Sequence, residues 1–129
     1  MILVDSSVWV DAWRGRQRSL ANALTAMIES GEAAINPLIY TELLQGALNA
    51  RHQEEIAALL QPISVLPLPE TLWTESPRNY LRLRQKGLTL TTMDCLIATH
   101  AMLEHCRIWS LDGVFAEIRA LAPLQLLIP

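Results

Sequence analysis

Thr91-Thr92-Met93-Asp94-Cys95-Leu96-Ile97-Ala98-Thr99-His100-Ala101-Met102-Leu103, with Arg107-Ile108-Trp109-Ser110 close behind, is the stretch on which the fold turns. Thr91 and Asp94 have the spacing of a capping box, so a helix starts here and runs to about His105. Apolar side chains take up most of its circumference, which predicts a helix buried on most faces. Arg107 to Ser110 then reads as a strand. Leu111-Asp112-Gly113 turns into a short helix, Val114 to Ala120, with Phe115 and Ile118 inward. A buried helix that feeds a buried strand is half of a crossover unit, and crossover units build parallel sheets.

The same alternation runs back to the start of the chain. Ile2-Leu3-Val4 is a strand buried on both sides. Ser6 or Ser7 can cap a helix that reaches Arg14 and stops at Gly15. Leu20, Leu24, Met27 and Ile28 mark a second helix, Gln17 to Ser30, ended by Gly31. Ala33-Ala34-Ile35 is a short strand. Asn36 caps a third helix with Pro37 at its first position and Ile39, Leu43 and Ala47 inward. Arg51 to Leu60 is a fourth helix, and Ile63 to Leu66 a further strand. A long helical segment follows to Lys86; Pro77 inside it predicts a kink or a fresh start capped by Ser76. Gln125-Leu126-Leu127-Ile128 is a last strand. The expected fold class is α/β: a three-layer α/β/α domain with a short parallel sheet, one unit over residues 1–129.

Bulk properties narrow the function. The chain has 129 residues, half of them apolar, and can bury a real core. No apolar run reaches the ~18 residues of a membrane span. Asp5 and Asp11 stand where a secretory signal would carry basic residues, so a cytoplasmic protein is expected. Cys95 and Cys106 form no metal or disulfide framework and read as reduced thiols. The net charge of −3 is unusual for a nucleic-acid binder. All but Lys86 of the ten basic residues are Arg, the planar side chain that grips phosphates in a fork. They gather at Arg14, Arg16 and Arg18 and at Arg78, Arg82 and Arg84, where solvated helix faces are the competing explanation.

Four acids occupy comparable places. Asp5 directly follows the first strand, and Asp112 follows the strand ending at Ser110. Asp94 opens a helix, and Glu42 lies one turn into the helix that leaves the second strand. In an open parallel sheet, ligands bind beyond the carboxyl ends of the strands where the strand order reverses. Each acid also has an ordinary explanation as turn residue, cap or solvated helix acid. Two carboxylates ~4 Å apart repel by roughly 4 kcal/mol at an effective dielectric of about 20. Four of them in one cleft need a cation or raised pKa values. An all-oxygen set suits Mg²⁺, with Mn²⁺ as substitute. The three histidines, His52, His100 and His105, read as surface or packing residues. No Ser-His-Asp or Cys-His set is present, and no glycine-rich phosphate loop.

Taken together, these motifs resemble the PIN-domain ribonucleases, and within them the VapC-type toxins of toxin–antitoxin pairs. Ile2-Leu3-Val4-Asp5-Ser6-Ser7-Val8-Trp9-Val10-Asp11 is similar to that family's first motif and Tyr40-Thr41-Glu42-Leu43-Leu44-Gln45-Gly46 to its second. Leu90 to Ala98 is similar to the third, and Ser110-Leu111-Asp112 with Phe115 to the fourth. The resemblance spans essentially the whole chain, in order. It implies a Mg²⁺-dependent endoribonuclease with Asp5, Glu42, Asp94 and Asp112 as catalytic and metal-binding acids, and Ser6 and Ser110 as supporting hydroxyls. It implies an RNA substrate, transfer or ribosomal, cut by water to leave a 5′-phosphate. It further implies a homodimer, a cognate antitoxin that blocks the cleft, and no membrane. Gly113 and Pro77 depart from the usual pattern near the substrate path. Three rivals remain. A haloacid-dehalogenase-type phosphatase needs an Asp where Ser7 stands. A phospho-receiver domain needs a lysine after a late strand. The third is a non-toxin or catalytically silent PIN domain.

Overall fold

A computed structural model describes residues 1–127. Five parallel strands form one sheet in the order β3-β2-β1-β4-β5. They are β1 (Ile2–Val4), β2 (Ala33–Ile35), β3 (Ser64–Val65), β4 (Arg107–Trp109) and β5 (Gln125–Leu126). Seven helices connect them: α1 (Ser6–Arg14), α2 (Arg18–Glu29), α3 (Pro37–Gln45), α4 (Ala50–Leu60), α5 (Leu72–Gln85), α6 (Thr92–Leu103) and α7 (Val114–Arg119).

From β1 the chain steps outward through β2 to β3, then crosses back past β1 to β4 and β5. Right-handed crossovers place α1 and α2 on one face and α5–α7 on the other, while α3, leaving the end of β2, packs against both α1 and α6. The strand order reverses between β1 and β4, and the register Ile2↔Arg107, Leu3↔Ile108 and Val4↔Trp109 brings both strands to a common end. Asp5 and Ser110 leave the sheet there side by side.

The three central strands read as apolar runs because both faces are covered: Leu3, Val4, Ala34, Ile35 and Ile108 are all fully buried. Trp9 is buried under the same sheet and donates its indole N–H to Val4 O at 3.0 Å. Phe115 and Ile118 turn inward from α7 as their spacing predicts. Asn36 caps α3 by accepting the Ile39 N–H at 2.8 Å, with Pro37 at the first helical position. Gly15, at φ +66°, supplies the left-handed turn that ends α1.

Several expectations change. Neither Ser6 nor Ser7 caps α1: the helix starts at Ser6, Asp5 stands at the cap position, and its side chain makes no capping bond. Pro77 neither ends nor restarts a helix, because α5 runs through it unbroken from Leu72 to Gln85. Ser76 is buried in that helix, its hydroxyl 3.5 Å from Cys95 Sγ. α6 ends at Leu103, two residues early, because His105 takes the left-handed turn at φ +52°. Ala47 lies beyond the end of α3, though it still packs on the core. The edge strands shrink to two residues each. Leu127 falls outside β5, and Ile128 lies outside the described residues. Both cysteines are free and buried. Among the described residues no helix is long and apolar enough to cross a membrane.

Candidate active site

A pocket of about 390 Å³ opens at the strand ends where the order reverses. Asp5, Glu42, Asp94 and Asp112 all line it, and so does Ser6. Segments 18 to 107 residues apart in the chain thus contribute one acid each.

Asp5 is the most firmly held. Its amide donates to Trp109 O at 2.9 Å, which ties the end of β1 to the end of β4. Its Oδ2 accepts hydrogen bonds from Ser110 Oγ (2.7 Å) and Ser7 Oγ (2.9 Å). Both hydroxyl hydrogens are then spent, so the 3.2 Å approach of Ser7 Oγ to Ser110 Oγ is a contact and not a further bond. The two hydroxyl oxygens in turn accept from backbone: Leu111 N–H to Ser7 and Asp112 N–H to Ser110, both at 3.0 Å. Asp5 Oδ1 is left for the pocket.

Asp94 sits half-buried in the first turn of α6, whose start is fixed by Asp94 N–H donating to Thr91 Oγ1 at 3.1 Å. Burial raises its pKa; Thr91 opposes the rise, and Asp112 and Asp5 add to it. Asp112 is exposed and its Oδ1 accepts from Val114 N–H at 3.0 Å, so its ordinary role as a turn residue is real and costs it one oxygen. Glu42 is the most strained electrostatically. Burial, then Asp5 and Asp94, push its carboxyl up to about 7, with a smaller push from Asp112. The Ser6 hydroxyl tempers this but leaves Glu42 Oε1 buried and without a hydrogen-bond partner.

Two residues here were not singled out from the sequence. Ser7, rather than Ser6, holds Asp5. Asp11 lines the same pocket, with Oδ2 accepting from Gln17 Nε2 at 3.3 Å and Oδ1 buried and unpartnered. Ser7 and Asp11 are four apart on α1 and so share a face, but the spacing does not say which face meets the pocket. Arg16 also lines this pocket. Among the described residues, no three His, Cys, Asp or Glu side chains are set closely enough to enclose an ion by themselves. The donor set still fits a hard cation. Mg²⁺ keeps several waters and takes only one or two carboxylates directly, and two buried carboxylate oxygens here want a positive partner.

Residues 2–121 match the family described as the PIN domain. The chain belongs to the PIN domain family. Among curated relatives of this PIN chain, the VapC ribonuclease Mb1587 of Mycobacterium bovis is 28% identical over 129 residues, covering 97% of this chain and 96% of the relative. Ribonuclease VapC11 of Mycobacterium tuberculosis matches to the same extent. The fold recurs in VapBC2 from Rickettsia felis bound to a promoter DNA fragment (TM-score 0.82, 21% identity, 98% of each chain). It recurs in a toxin–antitoxin complex from Klebsiella pneumoniae (TM-score 0.72, 21% identity, 98% of this chain and 100% of the other). It recurs again in VapC20 of Mycobacterium tuberculosis, a sarcin–ricin loop cleaving toxin (TM-score 0.65, 14% identity, 91% and 94%).

Proposed function

We propose that this PIN chain is a divalent-metal-dependent endoribonuclease, the toxin of a toxin–antitoxin pair, acting as one catalytic unit over residues 1–129. The observation that carries this is the meeting of Asp5, Glu42, Asp94 and Asp112 in one pocket at the switch point of the sheet. The curated relatives that match almost end to end are ribonucleases by name, which supports the reading.

Asp5 and Asp94 are the direct ligands in this proposal, with Glu42 and Asp112 binding through water or a second ion. Mg²⁺, or Mn²⁺ in its place, when bound there supplies Lewis acidity toward water and phosphate and neutralises the charge that builds on the leaving oxygen. The chain's own part is orientation. Ser7 and Ser110 hold Asp5 by one oxygen so that the other faces the pocket. Glu42, with a pKa near neutrality, releases its proton when positive charge enters. Arg16, at the rim, meets a flanking phosphate.

The substrate is an RNA phosphodiester, transfer RNA first and ribosomal RNA second, with a 5′-phosphate product. The protein is a cytoplasmic homodimer, silenced by a cognate antitoxin seated over the cleft. The decisive test is cleavage of total RNA by the purified chain with Mg²⁺, with EDTA, and with Asp94→Asn. Native protein should cut only with the metal. Asp94→Asn should lose at least ~10²-fold in rate. Equal cutting by the variant, or cutting in EDTA, overturns the proposal.

A further inference from the structure

His100 is completely buried, as is Asn36. His100 Nδ1 lies 2.9 Å from Asn36 Nδ2, and His100 Nε2 lies 3.1 Å from Pro67 O. Chemistry places every proton in this group. Asn36 Oδ1 already accepts the Ile39 N–H, so the other end of the amide is the NH₂ and donates to Nδ1. A carbonyl can only accept, so Nε2 carries the ring hydrogen. His100 is therefore neutral, in the Nε2–H tautomer. Burial holds its pKa below the ordinary histidine range, although Glu104, one turn away at 3.6 Å, pulls the other way.

The positions of these two residues matter more than their burial. Asn36 is the cap of α3, and Glu42 stands six residues after it. His100 is on α6, and Asp94 stands six residues before it. Six helical residues span about 9 Å. Measured from the Asn36–His100 contact, both acids lie the same distance along their helices. Glu42 and Asp94 feel each other's charge and line one pocket, so the two helices run in opposite senses and both acids lie on the same side of the contact.

We propose that the Asn36–His100 hydrogen bond is a register pin, a positioning pair that sets α3 against α6 so that Glu42 faces Asp94; it rests on the reading of those acids as the catalytic site. Apolar contacts between two helices tolerate a small slide. A hydrogen bond of 2.9 Å does not, because a slip of one residue, about 1.5 Å, takes it out of range. The slip would leave a buried amide and a buried imidazole nitrogen unpartnered.

The substitutions that test this separate the two ring nitrogens. His100→Asn puts an amide oxygen where Nδ1 was and keeps the acceptor for Asn36. His100→Gln puts its amide nitrogen where Nε2 was, keeping Pro67 and losing Asn36. Asn36→Ser still caps Ile39 but is too short to reach the ring. Mn²⁺ alone is titrated calorimetrically into the full chain, without RNA. His100→Asn should stay within about threefold of native affinity, while His100→Gln and Asn36→Ser each weaken it about tenfold or more. The double variant should be no weaker than the worse single variant. Nitrogen NMR of the native chain should show His100 Nδ1 bare and Nε2 protonated. Equal loss in His100→Asn and His100→Gln, additive loss in the double variant, or a protonated Nδ1 overturns the pin.

If native protein binds no Mn²⁺, the metal reading itself fails, and amide exchange then decides about the pin. Exchange near Glu42 and Asp94 should quicken about tenfold in His100→Gln and stay native in His100→Asn. Equal exchange in the two variants rejects it.

Discussion

Glu42 shows best what a single residue carries in this molecule. Its folded pKa of about 7 stands above the ordinary glutamate value of 4.5, with burial the largest cause. The folded state therefore holds this proton more tightly than the unfolded chain. Glu42 favours folding fully below pH 4.5, and that contribution is lost as pH rises through 7. Metal-free protein should thus melt lower at pH 8 than at pH 5.5, and Glu42→Gln should flatten that difference. The effect is a few degrees at most, at roughly 3 °C per kcal/mol, since Glu42 is only half-buried and solvent screens it. His100 acts in the opposite sense, its stability falling away as pH drops below 6.5, so the native-minus-variant difference is the quantity to read. Mg²⁺ needs the ionised carboxylate and should raise the melting temperature more at pH 8 than at pH 5.5. A Glu42→Gln variant with the native pH slope would reject this account. Of the pocket's residues, Asp5, Asp94 and Asp112 were legible because each follows a strand or opens a helix, and Glu42 because it lies one turn into the helix that leaves β2; Ser110, which holds Asp5, likewise follows a strand. Ser7 and Asp11 were not, because which of two adjacent serines turns toward the sheet depends on the phase of α1 at its first turn.

At the scale of elements, local chemistry announced some boundaries and tertiary packing decided others. Asn36-Pro37 and Gly15 were readable because a cap, a fixed φ and a left-handed turn are properties of single residues. The continuity of α5 was not. Leu72, Ser76 and Leu83 bury one side of it against the domain, and that burial outweighs the backbone bond Pro77 cannot make to Trp73 O. Pro77 itself is exposed, so Pro77→Ala should restore the bond without disturbing packing. We expect a gain of about 2 kcal/mol, after the greater freedom of the unfolded variant is allowed for. Thermal or urea unfolding measures it, and a lower midpoint in the variant would show that the proline is needed where it stands. β3 is shorter than its apolar run promised because it lies at the sheet's edge with Ser64 and Val65 both exposed.

Across the whole molecule the charge is divided, which eases the tension between a net charge of −3 and the proposed RNA substrate. Five of the thirteen acids line one pocket, and the two arginine clusters differ in how free they are. Arg78 pairs with Glu75 at 3.0 Å, Arg82 donates to Asn79 at 3.2 Å, and Arg84 lies over the Tyr80 ring at 5.6 Å. Arg14, Arg16 and Arg18 are exposed and make no ion pair among the described residues. Phosphate contacts should therefore come from the α1–α2 side. With the Asp94→Asn chain, expected to bind without cutting, RNA affinity should fall with added salt. Reversing Arg14 and Arg16 to Glu should weaken binding and flatten the salt slope by about one unit per lost contact. Reversing Arg78 and Arg82 should change little. Affinity indifferent to salt would remove the idea.

The sheet also ends abruptly on both sides. β3 and β5 are two residues each, the first bracketed by Pro62 and Pro67 and the second preceded by Pro123. Proline offers no N–H to a passing strand, and two residues are too few to template another chain. The rims therefore give stray polypeptide nothing to zip onto. A crowded solution of this protein gains no fibril seed from its flanks, and self-association is left to its side-chain surfaces.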